Sequence, residues 1–295
     1  MLYLASSLVT LTTPPTETLR RLFIDFNFQA EKFIVPTISD MFNYNLYKKG
    51  VFKMKIEVWS DFVCPFCYIG KRKLEAALAE FPQKNDVEIQ FKSYQLDPNS
   101  PPYSGQDFYE SMGKKFGSAE QAKQMMVNVA DQAKTVGLDF HFDTMKPTNT
   151  FNAHRLEKFA ATHGKGAEVA EKLLYANFTE SKDVGNIDIL ADIAAEAGLD
   201  KDEVLAALQD DNAYADEVRA DIDEAKQFGI TGVPFFIFNR KYSLSGAQPK
   251  ETFLQVLEKV SEEEKSIPTL ESLSVNKGQD ATCGDDGCDI PTQKE

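Results

Sequence analysis

The order of predicted elements indicates an α/β fold that is interrupted by a helical insertion. Two observations predict it. The chain runs strand–helix–strand from Met54, and strand–strand–helix returns from Pro234 onwards. Between these segments, more than a hundred residues follow a helical period. We therefore predict one α/β domain built from both flanking segments, with an all-helical domain inserted between them.

The first α/β segment contains two strands and the helix that joins them. Residues 55–60 (KIEVWS) form the first predicted strand. A helix begins at Pro65, which is favoured there because its missing N–H has no intrahelical partner, and it ends before Pro82. Residues 87–94 (VEIQFKSY) alternate apolar and polar side chains, which predicts the second strand.

The helical block follows a Pro-rich connection at residues 96–105 (LDPNSPPYSG). Ser118 and Gln121 have the spacing of a capping box, and Gly137 ends the helix that they start. Five further helices are predicted over residues 151–163, 167–180, 187–197, 201–209 and 213–228. Strands at 234–239 and 242–245 and a last helix at 249–263 complete the pattern.

These elements divide the chain into four parts. Residues 54–97 and 213–263 form the predicted α/β domain, and residues 98–212 form the inserted helical domain. Residues 264–295 form a polar, acidic tail that is interrupted by Pro and Gly. Residues 1–53 form the fourth part. Their composition differs from that of the rest of the chain, because they carry a net positive charge whereas the rest is strongly acidic.

The boundary at Met54 suggests an over-extended gene start. Back-translation of Lys48-Lys49-Gly50-Val51 permits a purine-rich, ribosome-binding sequence shortly before the Met54 codon. We therefore hypothesise that Met54 is the natural start in a bacterium; a genuine amino-terminal arm is the alternative. The intact mass of the native protein tests the hypothesis.

The composition of the chain argues against several classes of partner and location. The chain has 32 Lys+Arg against 46 Asp+Glu and a net charge of −14, which disfavours nucleic acid and anionic membranes as partners. No apolar run approaches the roughly 20 residues of a spanning helix. Residues 1–9 (MLYLASSLV) lack the basic flank of an export signal, and four cysteines are few for a secreted scaffold, so we expect a cytoplasmic protein.

Cys64-Pro65-Phe66-Cys67 is the strongest chemical signal. Cys64 lies at the predicted strand-to-helix junction, where unpaired N–H groups and the helix dipole favour a thiolate. Cys67 follows one turn later, close enough to attack a mixed disulfide formed on Cys64. A nucleophile with a resolving thiol is what thiol–disulfide exchange requires. Half of a zinc site and a pair of inert core cysteines are the alternatives.

The second signal is Gly232-Val233-Pro234-Phe235, which places a proline at the start of an apolar strand. An X-Pro bond in such a position is a candidate for the cis form, and an ordinary trans strand start is the alternative. A cis bond would leave the Val233 backbone free to pair with an extended peptide beside the cysteines.

Together these motifs resemble the DsbA-like thioredoxin-fold family, and within it the FrnE-type group of cytosolic dithiol–disulfide oxidoreductases or isomerases. The resemblance covers residues 54–263. It rests on four motifs in order: SDFVCPFCY at 60–68, NT at 149–150 with AHR at 153–155, TGVP at 231–234, and SGAQP at 245–249. It implies a thioredoxin fold interrupted by a helical domain, with the active site at their junction.

The resemblance also implies roles for individual residues. Cys64 would be the exposed nucleophile, Cys67 the resolving thiol, and Pro234 a cis-proline that faces them; Val233, Pro65 and Phe66 would contact the substrate. The expected substrates are protein disulfides or dithiols, with a low-molecular-weight thiol or a thioredoxin system as candidate partner. No cofactor and no metal are required. Phe66 stands where related proteins often carry Trp or His, so their reduction potentials do not transfer.

His154 is a further candidate within residues 149–156. Its imidazole would tune Cys64 if it faced the active-site groove. A buried or solvated helical histidine without a catalytic role is the alternative.

Cys283 and Cys288 form a second cysteine pair in the acidic tail (CGDDGC). Two Gly and two Asp form a turn that would bring the thiols together, and some FrnE-type proteins carry an extra pair of this spacing. We hypothesise a secondary redox pair that exchanges with Cys64–Cys67. A metal-binding tail and an incidental pair are the alternatives.

Two other functions remain open. Relatives of this fold include glutathione-dependent isomerases or transferases, although the presence of both Cys64 and Cys67 argues against that activity. A non-enzymatic zinc-binding or chaperone-like module would use all four cysteines as ligands.

Overall fold

The computed structural model describes residues 53–265 and, further on, the backbone of two short strands at 282–284 and 287–289. The hypothesis about residues 1–53 and most of the predicted tail therefore lie outside the described residues. In the described residues the predicted α/β fold with a helical insertion is confirmed.

A four-stranded sheet of order β2-β1-β3-β4 forms the α/β part. The central strand β1 pairs in parallel with β2 and antiparallel with β3, and β3 forms a hairpin with β4. Asn239 and Arg240 both have positive φ in the turn of this hairpin, as the right-handed twist of the paired strands favours. The strands are β1 (Met54–Ser60), β2 (Val87–Ser93), β3 (Phe235–Phe238) and β4 (Tyr242–Ser245).

Nine helices accompany the sheet in the described residues. Their ends follow local capping signals: Asp107, Ser118, Asn186 and Asp200 each accept a hydrogen bond from the first turn of the helix that follows. The helices are α1 (Pro65–Glu80), α2 (Phe108–Phe116), α3 (Ala119–Lys134), α4 (Phe151–Thr162), α5 (Gly166–Phe178), α6 (Ile187–Glu196), α7 (Lys201–Gln209), α8 (Ala215–Gln227) and α9 (Lys250–Lys265). None of them is both long and apolar enough to cross a bilayer.

The two faces of the sheet are buried in different clusters. Ile56 and Val58 of β1 face the main core, which continues without a break into the inserted helices. Trp59 and Ile237 face a smaller cluster under α8. Because sheet and inserted helices share one core, packing does not mark a boundary between them. The divisions 54–97, 98–212 and 213–263 therefore stay predictions.

Polar contacts fix α1 against the helical insertion. The Tyr68 hydroxyl donates to Glu171 of α5 at 2.6 Å, and Lys71 forms an ion pair with the same carboxylate at 2.5 Å. Arg72 also pairs with Glu171. The helix that begins with the cysteine motif is thereby fixed along one side.

Two residues of the motif NT…AHR stabilise the fold through hydrogen bonds. The Asn149 amide donates to the carbonyls of Pro98 and Ser100 at 3.1 and 2.9 Å, which fixes the Pro-rich connection. Arg155 is 1% exposed, and its guanidinium donates to several carbonyls at the end of α7, including Leu208 at 3.1 Å and Ala207 at 2.9 Å. These contacts satisfy carbonyls that a helix end leaves unpaired.

Candidate active site

The cysteine motif begins α1, as predicted. Cys64 is the N-cap residue with extended backbone angles (φ −91°, ψ 111°), and Pro65 occupies the first turn. The Cys64 N–H donates to the Asp61 carbonyl at 3.1 Å, and the Cys67 N–H donates to the Cys64 carbonyl at 3.0 Å. The loop between β1 and α1 is therefore closed by its own backbone, and it presents Cys64 at the helix N-terminus.

The Cys64 thiol does not cap α1. Its side chain makes no capping hydrogen bond, and the thiol instead donates to the Val233 carbonyl at an Sγ···O distance of 3.6 Å. Cys64 is only 4% exposed, so the expectation of an exposed nucleophile is wrong for this structure. The segment before β3, distant in sequence, covers it. Cys64 is nevertheless part of the wall of a large cavity.

Cys67 is buried to a similar degree, 3% exposed against 4% for Cys64, but unlike Cys64 it does not line the cavity. It is buried behind Cys64, and burial, reinforced by the hydrogen bond and the charge of Cys64, raises the pKa of the Cys67 thiol well above its ordinary 9.0. Ser60 and the Asp61 backbone hydrogen-bond the thiolate form and oppose this shift. At neutral pH Cys67 is therefore a protonated thiol held beside Cys64, and both cysteines are free in the described structure.

The Val233–Pro234 bond is cis, as the second motif suggested. Pro234 lies against α1, because a Cβ added at Gly70 would be 3.0 Å from Pro234 Cγ. The Val233 carbonyl accepts a hydrogen bond from the Cys64 thiol, whereas the Val233 N–H has no hydrogen-bond partner among the described residues.

A cavity of about 690 Å³ opens beside Cys64. Val63, Pro65, Phe66 and Val233 line the wall on the cysteine side, and apolar side chains of the inserted helices line the opposite wall. Four of the lining residues are large, apolar and exposed. This set, which we call the apolar rim, consists of Phe66 (38% exposed), Leu96 (51%), Phe116 (43%) and Met125 (42%). The volume lies within the range of small-molecule and side-chain sites.

His154 does not face this cavity. It is 2% exposed, its ring packs 4.8 Å from that of Phe62, and its Nε2 lies 3.5 Å from Asp61 Oδ1. The expected contact of His154 with substrate is therefore wrong. Asp61 separates His154 from the cavity, so any influence on Cys64 passes through that carboxyl.

Sequence reasoning missed two groups of lining residues. Asp61 is a buried carboxyl in the loop before Cys64, and its position three residues before the cysteine motif was the available signal. Met112, Met125 and Met126 of the insertion also line the cavity, although no motif marks them in the sequence. Their helical spacing is the same for a core face and for a cavity wall.

The tail cysteines are described only through their backbone. Strands β5 (Thr282–Gly284) and β6 (Gly287–Asp289) form an antiparallel hairpin in which Cys283 and Cys288 are directly opposite each other. Their side chains lie outside the described residues. Both the secondary redox pair and the four-cysteine zinc module therefore stay predictions.

Comparisons with known proteins agree with this geometry. The model of the DSBA-like thioredoxin domain matches residues 55–258. A probable DsbA oxidoreductase of Streptomyces coelicolor is 38% identical over 81% of this chain and its entire own length, with a TM-score of 0.68. The uncharacterized protein YwbO of Bacillus subtilis is 30% identical over 71% of this chain and 97% of its own length.

A more distant likeness extends to a cytosolic member of the fold. The disulfide reductase DsbM of Pseudomonas aeruginosa, solved with glutathione, is 16% identical over 70% of this chain and 99% of its own, with a TM-score of 0.51. At this identity the likeness concerns the fold alone. The family match and the two nearer relatives decide the assignment: this chain belongs to the DsbA-like thioredoxin-fold family.

Proposed function

We propose that the protein is a thiol–disulfide oxidoreductase or isomerase that uses Cys64 as nucleophile and Cys67 as resolving thiol. The observation that carries the proposal is the position of Cys64 Sγ, at the N-terminus of α1, on the cavity wall and 3.6 Å from the Val233 carbonyl. A substrate sulfur that enters the cavity meets this thiol first, because Cys67 is buried behind it. The family assignment supports the same chemistry.

The proposed cycle has two exchange steps. The Cys64 thiolate attacks a substrate disulfide, one substrate sulfur leaves as a thiolate and takes up a proton, and a mixed disulfide remains on Cys64. Cys67 then loses its proton and attacks Cys64 Sγ, which forms the Cys64–Cys67 disulfide and releases the second substrate thiol. The reverse sequence oxidises a dithiol, and reversal at the mixed disulfide isomerises.

Trapping the mixed disulfide tests these roles. In Cys67→Ser the second step is blocked, so a covalent adduct with a disulfide substrate should accumulate and be visible by mass spectrometry at Cys64. In Cys64→Ser no adduct should form at Cys67 on the same time scale. An adduct on Cys67 in that variant, or none on Cys64 in the first, would refute the assignment.

The apolar rim supports polypeptide substrates. Exposed large apolar side chains grouped around one site mark a surface that binds apolar groups, and unfolded polypeptides supply them. The free N–H of Val233 offers a hydrogen bond to an extended backbone beside Cys64. We therefore infer that proteins carrying disulfides or dithiols are the substrates.

Phe116→Ser tests the polypeptide site without altering the cysteines. Phe116 belongs to the rim but not to the cysteine loop, so kcat/KM for a disulfide-containing polypeptide should fall roughly tenfold, while the rate with a small disulfide stays unchanged. Phe228→Ser is the matched control, since Phe228 is similarly exposed (46%) and does not line the cavity. Equal losses in the two variants would argue against a role of the rim.

We further propose that the protein belongs to the FrnE-type group and acts in the cytoplasm, with a low-molecular-weight thiol or a thioredoxin system as electron partner. The motif SDFVCPFCY and the scarcity of cysteines support this placement. Fractionation of the native host, followed by measurement of the thiol state of Cys64 and Cys67, tests it.

A further inference from the structure

The cavity wall carries one carboxyl that pairs with no lysine or arginine of the described residues. Three lining side chains are charged: Asp61, Asp97 and Lys115. Lys115 pairs with Asp97 at 2.6 Å near the cavity mouth, where both are partly exposed. Asp61 is 1% exposed, and no lysine or arginine of the described residues lies within ion-pair distance of it. The field inside the cavity therefore favours positive over negative ligand groups.

Two buried polar atoms of the same wall lack partners. Asp61 Oδ2 accepts the Leu96 N–H at 2.8 Å, whereas Oδ1 has no hydrogen bond, and neither has its neighbour His154 Nε2 at 3.5 Å. Thr148 Oγ1, on a residue that is 4% exposed, is also unpartnered. An ionised carboxylate only accepts hydrogen bonds, so a ligand that satisfies Asp61 must bring a donor.

These observations concern the substrate class of the site, and the inference rests on the proposed function. We propose that the cavity selects disulfides whose apolar arm ends in a cationic or neutral hydrogen-bond donor, and that it discriminates against carboxylate-bearing disulfides such as glutathione disulfide. A carboxylate would lose its water in an apolar cavity, find no free cation, and be repelled by Asp61. A group with a net positive charge would be attracted by the Asp61 carboxyl.

A matched series of aliphatic disulfides isolates this preference. Cystamine, bis(2-hydroxyethyl) disulfide and 3,3′-dithiodipropionate end in an ammonium, a hydroxyl and a carboxylate. In each case the Cys64 thiolate forms a bond to one sulfur, the substrate S–S bond breaks, and the leaving thiolate takes a proton from water. For each disulfide, the second-order rate constant of its reaction with the reduced protein is divided by that of its reaction with 2-mercaptoethanol under the same conditions. This ratio removes the intrinsic reactivity of the disulfide. We expect normalised rates in the order ammonium, hydroxyl, carboxylate, spanning at least about tenfold, with glutathione disulfide among the slow substrates.

Asp61→Asn tests which residue sets the order. The substitution removes the charge and adds an amide donor, so the span between cystamine and 3,3′-dithiodipropionate should shrink several-fold. Any change in Cys64 reactivity multiplies all three rates equally and cancels in their ratio. Glu258→Gln is the control, because it removes one exposed carboxylate on α9, outside the cavity, and should leave the span unchanged.

Asp97→Asn offers a second variant at an exposed site. It leaves Lys115 without its carboxylate partner at the cavity mouth, while the amide oxygen can still accept from the Asn99 N–H. The rate with 3,3′-dithiodipropionate should rise several-fold relative to cystamine. This variant keeps the test decisive if Asp61→Asn does not fold.

The outcomes separate the inference from the proposed function. If no disulfide reacts at Cys64, the proposed function fails. If all three react at equal normalised rates, or the carboxylate reacts fastest, the function stands and the selectivity is refuted. A span that vanishes between about 0.05 M and about 0.5 M salt would assign the order to the net surface charge and overturn the role of Asp61, since exposed charges are screened over this range.

Discussion

The two active-site cysteines are three positions apart, yet their surroundings make them chemically different. Cys64 lies on the cavity wall with its thiol against the Val233 carbonyl. Cys67 is enclosed, and burial keeps its pKa well above the ordinary 9.0. In the proposed cycle this difference makes Cys64 the first thiol to meet a substrate and Cys67 the second.

This difference predicts separate alkylation profiles. In the reduced protein, iodoacetamide should modify Cys64 at neutral pH, whereas Cys67 should react only well above pH 9, because the thiolate is the nucleophile. Peptide mapping after timed alkylation measures both sites. In urea both cysteines should react alike, which provides the control; equal rates in the folded protein would contradict the assignment.

The same shift predicts how the stability of the reduced protein depends on pH. Because the folded pKa of Cys67 is raised, the unfolded chain loses this proton first as pH rises. The contribution of Cys67 to the free energy of unfolding is therefore complete below about pH 8.5 and is lost progressively above it. Chemical denaturation should show this loss in wild-type protein and a smaller one in Cys67→Ser. Identical profiles would contradict the shift.

At the residue scale the sequence predicted where the cysteine motif and the cis proline lie, but not what surrounds them. The positions of Cys64, Cys67 and Pro234 follow from local motifs. A strand–helix junction and an X-Pro bond can each be recognised from a few consecutive residues. The burial of Cys64 and the position of His154 behind Asp61 depend on Val233 and α4, which are distant in sequence. Periodicity within one segment holds no information on such contacts.

At the scale of elements, α1 is positioned by a close approach to the strand that carries Pro234. Gly70 makes the approach possible: an added Cβ would be 3.0 Å from Pro234 Cγ and 3.3 Å from Phe236 Cζ. The absence of a side chain at Gly70 thus fixes the distance between the cysteine helix and the segment that covers Cys64.

Gly70→Val should therefore disturb the site as well as the fold. We expect a loss of about 1–3 kcal/mol in the free energy of unfolding, since the added methyl groups overpack the contact. Reaction of Cys64 with small disulfides should also change, because Val233 moves with Pro234. Ala76→Val, on an exposed position of the same helix, controls for the cost of a branched residue, which is below about 1 kcal/mol. Equal losses in the two variants would show that the contact is unimportant.

Local signals predicted most element ends because the caps that set them are local. Residues 201–209 and 242–245 agree with α7 and β4 at both ends, and the capping hydrogen bond from the Gln121 N–H to Ser118 is present. Helix α2 was not predicted as a separate element, although Asp107 accepts from the Glu110 N–H at its start. The nine-residue helix directly after the Pro-rich connection is too short for its period to stand out.

At the scale of the molecule, the insertion provides part of the wall of the cavity beside Cys64. The cysteines belong to the α/β part, whereas Phe116, Met125 and Met126 of the cavity wall belong to α2 and α3. On the proposed function, the thioredoxin fold supplies the exchange chemistry, and the inserted helices select the disulfide that reaches it. This division is not visible in the sequence, because the helices that form the cavity wall carry the same apolar pattern as helices of the core.

The tail hairpin places two cysteines directly opposite each other. Residues directly opposite each other in an antiparallel pair have Cα atoms about 4.5–5.5 Å apart, which lies within the range that a disulfide bridges. Cys283 and Cys288 hold such positions in β5 and β6, so we expect them to form a reversible disulfide. The acidic residues of the CGDDGC turn disfavour thiolates there, which makes this pair the slower nucleophile.

Replacing both tail cysteines by serine should consequently change turnover without changing the first chemical step. In Cys283→Ser/Cys288→Ser, Cys64 should form its mixed disulfide at the wild-type rate, because its surroundings are intact. Recovery of the Cys64–Cys67 pair by an external thiol system should slow several-fold if the tail passes electrons on, and stopped-flow measurement of the two phases separates these steps. Asp285→Asn/Asp286→Asn is the matched control: it keeps both thiols and, by removing negative charge beside them, should speed the second phase. Unchanged recovery in the serine variant would leave the hairpin without a part in catalysis.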